Sequence, residues 1–255
     1  MPIRISIEDH IAEIVLDDPG KLNALDEATI TELSRAYEDA RSAGVRAVLL
    51  RGEGRAFCAG RDISQVDPAT DDARGYLDDV VTPLLRQIDE FPAPTFAVAT
   101  GACLGVGLGL LIATDVVYVA ESAKIGSPFA KLGAALDSGG HALFFERLGA
   151  HRTLDLVYTG ELMTGTEAVA LGLFSRVLPD AEVLEFARSR VRKAAAGATG
   201  AFLASKRLVH RLRDERVGLW ESVADENIAQ GSLSGTADYS EGFAAFREKR
   251  EPTFG

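Results

Sequence analysis

The sequence has little of several features that would assign a protein to a class at once. Only two of its 255 residues are cysteines. Cys58 and Cys103 stand in separate apolar, small-residue surroundings, so they suggest neither a disulfide framework nor the C-x-x-C spacing of a metal site. Positive charge is also scarce, because 27 Lys and Arg residues face 38 Asp and Glu residues and the formal net charge is −11. This balance argues against a general nucleic-acid-binding surface.

Long hydrophobic runs are missing as well. The chain begins MPIRISIEDH, without the apolar core of a secretory signal, and no apolar stretch approaches the roughly 20 residues that cross a bilayer. Hydrophobic residues still make up 47% of the chain and charged residues 25%, which is ordinary for a globular protein. We therefore expect a reduced, soluble, cytoplasmic protein without a metal site.

What is present is an alternation of strand and helix patterns in the first half of the chain. Apolar runs predict strands at 3–7, 11–16, 45–51 and 95–99, and Asp26 is a plausible N-cap for a helix that ends near residue 43. From about residue 138 onward the pattern is almost entirely helical. Periodicity alone predicts only the α/β class, with a strand-rich core and a helical tail.

The stretch FAVATGACLGVGLGLLIATD, at 96–115, is the most informative one. A buried strand leads into four closely spaced glycines and then into a helix. Glycines let backbone N–H groups approach a ligand closely, and the start of a helix favours negative charge. Close packing of helices would explain the same glycines. A second stretch, RAFCAGRDI at 55–63, also follows a buried strand, so two turns could direct two N–H groups at one oxygen.

These stretches belong to a series of motifs in a characteristic order. NALD at 23–26, FCAGRDI, GACLGVGLGL, KIGSPFAKLG followed by DSGG, ALGLFSRVL and the C-terminal EGFAAFREKREPTF cover nearly the whole chain. Together they resemble the crotonase (enoyl-CoA hydratase/isomerase) superfamily. The resemblance implies a spiral of ββα turns over residues 1–195 and a helical C-terminal trimerisation region over 196–255. It also implies a homotrimer or a dimer of trimers.

The resemblance further implies a site for an acyl-CoA thioester. In the family, two backbone N–H groups hold the thioester oxygen, and by motif position they belong here to Arg61 and Val106. The Arg61 side chain could reach solvent or a CoA phosphate. CoA is part of the substrate, so no separate cofactor is expected. The residues that match CoA-binding positions are Asn23, Ala24, Leu25, Ala59, Asp62, Ile63, Phe246 and Lys249, the last two often serving a neighbouring subunit.

The acids of the family's hydratases are absent. Their two glutamate positions are occupied here by Gly109 and Phe129, and neither residue can transfer a proton. Asp137 instead stands where several isomerases of the family, such as those of the phenylacetate pathway, place a catalytic aspartate. The alternative is that Asp137 serves only as the N-cap of the following helix, and we favour the catalytic role. His141 would lie one helical turn beyond Asp137 and could face the same pocket, or it could be a surface residue.

The favoured function is therefore an acyl-CoA isomerase that moves a 3,4 double bond to the 2,3 position, with Asp137 as acid and base. Isomerisation of a ring-epoxide phenylacetyl-type thioester is a neighbouring possibility. Hydration, thioester hydrolysis and decarboxylation remain open as other reactions of the family. An inactive acyl-CoA-binding protein is the alternative from another class. Tyr76, Leu77, Val80, Val81 and Leu84 are candidates for the wall of the acyl pocket, although the same spacing would serve core packing.

Overall fold

The computed structural model describes residues 2–64 and 66–255. Its main sheet has six strands in the order β1-β2-β3-β4-β6-β9, in which β1 and β2 are antiparallel and the other pairs are parallel. A second, smaller sheet has the order β5-β7-β8. The strands are β1 Ile3–Glu8, β2 Ile11–Leu16, β3 Ala47–Gly52, β4 Thr95–Ala99, β5 Ala102–Leu104, β6 Val116–Ala120, β7 Lys124–Gly126, β8 Met163–Thr164 and β9 Arg176–Leu178.

Helices connect these strands and fill the C-terminal part of the chain. The run from Ala73 to Asp89 contains a π-helical segment, Tyr76–Val81, which ends where Pro83 begins a new α-helical turn. The α-helices are α1 Glu27–Ser42, α2 Ala73–Gly75, α3 Thr82–Asp89, α4 Val106–Ile112, α5 Gly140–Thr159, α6 Gly165–Ala170, α7 Val183–Ala195, α8 Thr199–Glu215, α9 Leu219–Leu233 and α10 Ala237–Glu248.

The two sheets give the chain a spiral path. The chain passes from β4 in the main sheet to β5 in the small sheet, and after α4 it passes in the same way from β6 to β7. The middle strands of the main sheet are mostly apolar, and all five residues of β4 are buried. Such continuous burial is typical of parallel strands covered on both faces. The predicted ββα spiral followed by a helical C-terminal region is confirmed.

The N-terminus of α1 follows its prediction closely. The Asp26 side chain accepts a hydrogen bond from the Thr29 backbone N–H at 2.8 Å, so Asp26 is the N-cap. The helix that was expected at 138–148 differs from its prediction. It begins at Gly140 and, with a break in helical geometry at Gly149, continues to Thr159. Within the described residues, no helix combines the length and the apolar character that a membrane crossing requires.

Candidate active site

The two glycine-containing loops lie side by side. The Cys58 N–H donates to the Ala102 carbonyl oxygen at 2.9 Å, and the Leu104 N–H donates to the Cys58 carbonyl oxygen at 3.0 Å. Gly60, with φ of +99°, faces the second loop so closely that a Cβ atom there would lie 3.0 Å from the Leu104 oxygen. A glycine is therefore needed at this crossing both for its positive φ and for the close approach.

The first of the two predicted N–H donors is oriented by a parallel bridge. The Leu25 N–H donates to the Gly60 oxygen at 2.8 Å, and the Asp62 N–H donates to the Leu25 oxygen at 2.8 Å. In this pairing Arg61 sits between the two bonds, so its own N–H points away from Leu25. Among the described residues, no acceptor was found for this N–H. It is therefore available to a ligand.

The second donor is at the start of α4. Val106 is the first residue of the helix, where backbone N–H groups have no partner within the helix. The helix start packs directly on the first loop, since a Cβ atom on Gly107 would lie 2.5 Å from the Cys58 oxygen. Two available N–H groups on adjacent loops can together hold one oxygen that gains negative charge, which is the arrangement of an oxyanion hole.

The positions of the two missing acids are occupied in different ways. A Cβ atom on Gly109 would lie only 2.5 Å from the Ser138 Cβ, so the residue after Asp137 takes the space that a side chain at 109 would need. The Phe129 ring lies against the second loop, 3.2 Å from where a Cβ atom on Gly105 would be. An apolar ring and a packed glycine therefore stand where the hydratase glutamates would be.

Asp137 does not cap a helix. The N-cap of α5 is Gly139, and it makes no side-chain capping bond. The chain turns through left-handed geometry at Ser138 (φ 51°) and Gly139 (φ 88°), and the Gly140 N–H donates to the main-chain oxygen of Asp137 at 2.9 Å. The alternative in which Asp137 serves only as the N-cap of this helix is therefore wrong. The side chain is left free for chemistry.

The surroundings of the Asp137 carboxyl make it a better base than an exposed aspartate. Its Oδ1 atom is buried without a hydrogen-bond partner in the described structure. Burial raises the pKa of Asp137, and its contact with the Ser138 side chain offsets that rise only in part. A desolvated carboxylate with a raised pKa can accept a proton more readily near neutral pH.

His141 has no support as a second proton carrier. It is an exposed residue in the first turn of α5. Because Asp137 lies outside the helix, the helical spacing that would have brought the two side chains to one face does not apply. The hypothesis that they face the same pocket loses its basis.

The Arg61 side chain has a partner within the protein. Its guanidinium group makes a two-pronged ion pair with Asp71, at 2.7 and 2.9 Å, and lies 4.1 Å from the centre of the Tyr76 ring. The Arg61 side chain remains 23% exposed, and its contact with a CoA phosphate stays a prediction. The ion pair and the contact with Tyr76 tie the loop that carries Arg61 to the start of the π-helical segment.

Tyr76 is the residue whose importance the sequence understated. It was expected only as part of an apolar wall, but its hydroxyl is buried without a partner in the described structure, and the residue is 5% exposed. Burial raises the pKa of Tyr76, the Arg61 guanidinium lowers it in part, and the nearby Asp137 carboxylate adds to the rise. In the sequence, the only sign that Tyr76 differs from its neighbours is that a tyrosine occupies the first apolar position of a helical run.

The predicted CoA-binding loops lie together beside Arg61. The segment 23–25 runs along 59–62 through the bonds at Leu25 and a bond from the Ala59 N–H to the Leu22 oxygen at 3.0 Å. Ala24 and Ala59 are half-buried, whereas Ile63 is 55% exposed. An exposed apolar side chain at the edge of this pair of loops is suited to contact a ligand.

Asn23 and Asp62 hold these loops in place. The Asn23 amide donates to the Ala56 oxygen at 2.7 Å and to the Glu53 oxygen at 3.0 Å, so this buried side chain is already occupied. Asp62 pairs with Lys21 at 2.8 Å, and that contact and bonds from Ser64 hold the pKa of Asp62 well below its usual range. Any contact of Asn23 with CoA would have to come from its main chain.

Phe246 and Lys249 lie elsewhere in the chain. Phe246 is 84% exposed on α10 and borders a cavity of about 570 Å³ whose lining comes from residues 198–254. Lys249 follows directly at the C-terminal end of α10. This chain by itself does not bring them to Arg61 and Val106, and their contact with CoA bound to a neighbouring subunit stays a prediction.

Comparison with known proteins identifies the family of this chain. Residues 6–255 match the enoyl-CoA hydratase/isomerase family. A Rhodobacter capsulatus protein named "Probable enoyl-CoA hydratase" is 35% identical over 252 residues, covering 99% of this chain and 97% of the relative. The 2,3-dehydroadipyl-CoA hydratase of Escherichia coli is 30% identical over 251 residues, covering 98% and 97%.

A solved structure shows the same fold over the whole chain. The crystal structure of an enoyl-CoA hydratase from Bacillus anthracis superposes with a TM-score of 0.90 at 28% identity, covering 100% of this chain and 99% of that one. The family match, the relatives and the paired loops all lead to one conclusion. This chain is a member of the enoyl-CoA hydratase/isomerase family, the crotonase superfamily of enzymes.

Proposed function

We propose that this enzyme is an acyl-CoA isomerase that converts a 3-enoyl thioester into the 2-enoyl thioester. The observation that carries the proposal is the Asp137 carboxyl, free of any capping bond and raised in pKa, beside positions 109 and 129 that hold no acid. One base suffices for this reaction, whereas adding water across a double bond normally uses one group to activate water and another to protonate carbon.

The proposed reaction uses the two halves of the site in sequence. The Asp137 carboxylate takes a proton from C2 of the acyl group, and the electron pair moves into the thioester to form a dienolate. The backbone N–H groups of Arg61 and Val106 stabilise the charge on the thioester oxygen, and such donors contribute about 2.7–4 kcal/mol each in related sites. The protonated Asp137 then returns the proton to C4. CoA takes part only as the carrier of the acyl group, and no separate cofactor enters the scheme.

Hydration of a 2-enoyl thioester is the second candidate. The names of the Rhodobacter capsulatus and Escherichia coli relatives favour it, since both are called hydratases. In that reaction Asp137 would be the only described carboxylate placed to activate water, because Gly109 and Phe129 replace the usual acids. The chemistry of the site therefore favours the isomerase, while the names of the relatives favour the hydratase.

The deciding experiment compares the two reactions in the wild type and in Asp137→Asn. We expect the wild type to turn over 3-enoyl-CoA faster than it hydrates 2-enoyl-CoA, and Asp137→Asn to lose about 100-fold or more of the isomerisation. Asp155→Asn, an exposed carboxylate on α5, is the matched control and should keep its activity. Calorimetry with a saturated acyl-CoA checks that the thioester site of Asp137→Asn is intact.

Three results would speak against the isomerase. Faster hydration than isomerisation in the wild type would assign the enzyme to the hydratases. Wild-type isomerisation in Asp137→Asn would mean that another group is the base. Tight binding of acyl-CoA without turnover of either substrate would indicate a binding protein that has lost its activity.

We also propose that the chain works as a trimer or a dimer of trimers. Large apolar side chains are exposed along the C-terminal helices, and Leu219, Trp220, Ile228 and Phe246 are each more than 70% exposed. Surfaces of this kind usually mark an interface between proteins. Light scattering should give a mass that is a multiple of three times 27.2 kDa, and a clean monomer would contradict the proposal.

A further inference from the structure

The peptide unit that carries the first proposed N–H donor has a flexible residue on one side. It joins Gly60 to Arg61, and Gly60 has a φ of +99° and no Cβ atom that would restrict its rotation. In a trans peptide unit such as this one, the carbonyl oxygen and the N–H point in opposite directions. A rotation of this unit would therefore turn the Arg61 N–H away from the thioester oxygen that it is proposed to hold.

The main chain and the Arg61 side chain both restrain this peptide unit. The Leu25 N–H donates to the Gly60 oxygen at 2.8 Å, which fixes the carbonyl end of the unit. At the other end, the Arg61 guanidinium group donates two hydrogen bonds to Asp71, at 2.7 and 2.9 Å. An arginine whose far end is bound by two such bonds has little freedom left, so the Cα atom of Arg61 is restrained as well.

Asp71 is itself held in place by its neighbours in the chain. Asp72 is the N-cap of α2, and its side chain accepts a hydrogen bond from the Gly75 N–H at 2.9 Å. Tyr76 follows directly, is only 5% exposed, and has its ring centre 4.1 Å from the guanidinium carbon of Arg61. The contacts therefore form a closed series, which leads from Arg61 through Asp71 and the capped turn to Tyr76 and back to Arg61.

The pair of Arg61 and Asp71 differs from a second ion pair nearby, between Arg74 and Asp78. The side chains of Arg61 and Asp71 are 23% and 21% exposed, whereas those of Arg74 and Asp78 are 92% and 59% exposed. Water screens an exposed ion pair strongly, so such a pair restrains its residues little. The less exposed pair keeps more of its strength, and it acts on the residue whose N–H is the proposed donor.

Building on the proposed oxyanion hole, we propose that Asp71 is a positioning residue for the thioester chemistry of this enzyme. It acts through the Arg61 side chain and keeps the Arg61 N–H directed at the thioester oxygen while negative charge develops there. The donor belongs to the main chain and exists with any residue at position 61, and the side chain adds only a restraint on its direction. Direction matters because an oxyanion donor is most effective when it is aimed before the reaction begins.

The first test compares the rate with the affinity in variants that break the pair. Asp71→Ala removes the acceptor, and Arg61→Met keeps much of the side-chain length without its charge. The assay uses whichever reaction the wild type performs faster, isomerisation or hydration. We expect each variant to lower kcat about 5- to 20-fold, which is less than the loss expected for a whole donor. The affinity for hexanoyl-CoA should change less than about twofold, because the pair is not proposed to contact the ligand.

Further variants assign the effect to the contact itself. The double variant Arg61→Met with Asp71→Ala should be within about twofold of either single variant, because each one already breaks the pair. Asp71→Glu, which keeps the charge, should restore part of kcat. Asp78→Ala is the matched control: it removes the acid of the exposed pair with Arg74 and should keep kcat within about twofold of the wild type.

A second test observes the donor without any turnover. In protein labelled with 15N-arginine, the amide resonance of Arg61 is the one that disappears in Arg61→Met. Hexanoyl-CoA is a saturated thioester, so it can occupy the site without reacting. When it is added to the wild type, a hydrogen bond from the Arg61 N–H to the thioester oxygen should move the amide proton downfield. In Asp71→Ala the same addition should produce a clearly smaller shift.

The outcomes separate this inference from the proposed function. If Val106→Pro lowers kcat and Asp71→Ala does not, the oxyanion hole stands and the role of Asp71 is overturned. If neither variant lowers kcat, the hole itself fails and the inference fails with it. Weaker binding with a normal kcat in Arg61→Met would mean that the side chain binds CoA instead. If the wild type converts neither substrate, the amide shift decides, and an equal shift with and without Asp71 overturns the inference.

Discussion

The two halves of the candidate site are built in different ways. The half that would hold the thioester oxygen consists of backbone N–H groups at Arg61 and Val106, and a series of main-chain hydrogen bonds at Leu25, Cys58 and Leu104 fixes it. The half that would move protons consists of one side chain, Asp137, on a left-handed turn between two elements. No side-chain hydrogen bond fixes its Oδ1 atom.

This difference explains how one half can change while the other persists. Backbone donors do not depend on the side chain, so a bulky arginine at 61 leaves the oxyanion half intact. The half that would move protons depends on residue identity, and the positions proposed to decide it hold Gly109, Phe129 and Asp137. A family with this construction can keep one way of holding a thioester and vary the chemistry beside it.

The largest expected effect comes from removing a backbone donor. Val106→Pro deletes the N–H at the first helical position, where proline is well tolerated, so the fold should survive. We expect kcat to fall about 100-fold or more while the affinity for acyl-CoA changes much less. Val106→Ala, which keeps the N–H, should remain close to the wild type. If a folded Val106→Pro enzyme kept a normal kcat, the backbone half would have no part in catalysis.

An intermediate effect is expected where the two halves touch. Gly109→Ala places a Cβ atom 2.5 Å from that of Ser138, so urea unfolding should show a loss of about 1–3 kcal/mol in the free energy of unfolding. Gly231→Ala on α9 is the control, because nothing lies within 4 Å of its Cβ position, and the change should stabilise by up to about 1 kcal/mol. A neutral or stabilising Gly109→Ala would mean that position 109 could accommodate the hydratase glutamate.

The smallest expected effect concerns pH. A base must be ionised to work, so kcat/KM for isomerisation should fall as pH drops through the raised pKa of Asp137, at a higher pH than for an ordinary aspartate near about 3.9. The effect of pH on the free energy of unfolding has the opposite sign to the effect of an ordinary aspartate. A pKa raised by folding favours the folded state at low pH, and this contribution is lost as pH rises through the folded-state pKa.

Comparing wild type with Asp137→Asn isolates that contribution. Near neutral pH the variant should be the more stable protein in urea unfolding, and the difference should shrink below the pKa of an unfolded aspartate, about 3.9. Two results together would mean that Asp137 is well solvated. In the first, kcat/KM falls at the pKa of an ordinary carboxylate, and in the second, wild type and Asp137→Asn are equally stable at all pH values. The contrast between the two halves of the site would then be smaller than the structure indicates.

Predictions from the sequence are most successful where the local backbone geometry requires a particular type of residue. Asp26 was predicted as a cap and is one, because a cap needs only an acceptor side chain next to the first helical N–H groups. At Asp137, where capping was the alternative to catalysis, no cap forms, because Ser138 and Gly139 adopt left-handed geometry and delay the helix to Gly140. The roles of the proposed site residues themselves stay predictions until the variants are measured.

By itself, the sequence determined the fold and indicated that the two glycine-containing loops approach each other. Close crossing of two backbones requires glycine at a position such as Gly60, and that requirement is visible in the residue types. Only the tertiary structure decided which side chains are already paired and which are free. Arg61 is held by Asp71, whereas Asp137 and Tyr76 have no partner among the described residues. Such pairings depend on segments that are distant in the chain, so no local pattern of residues records them.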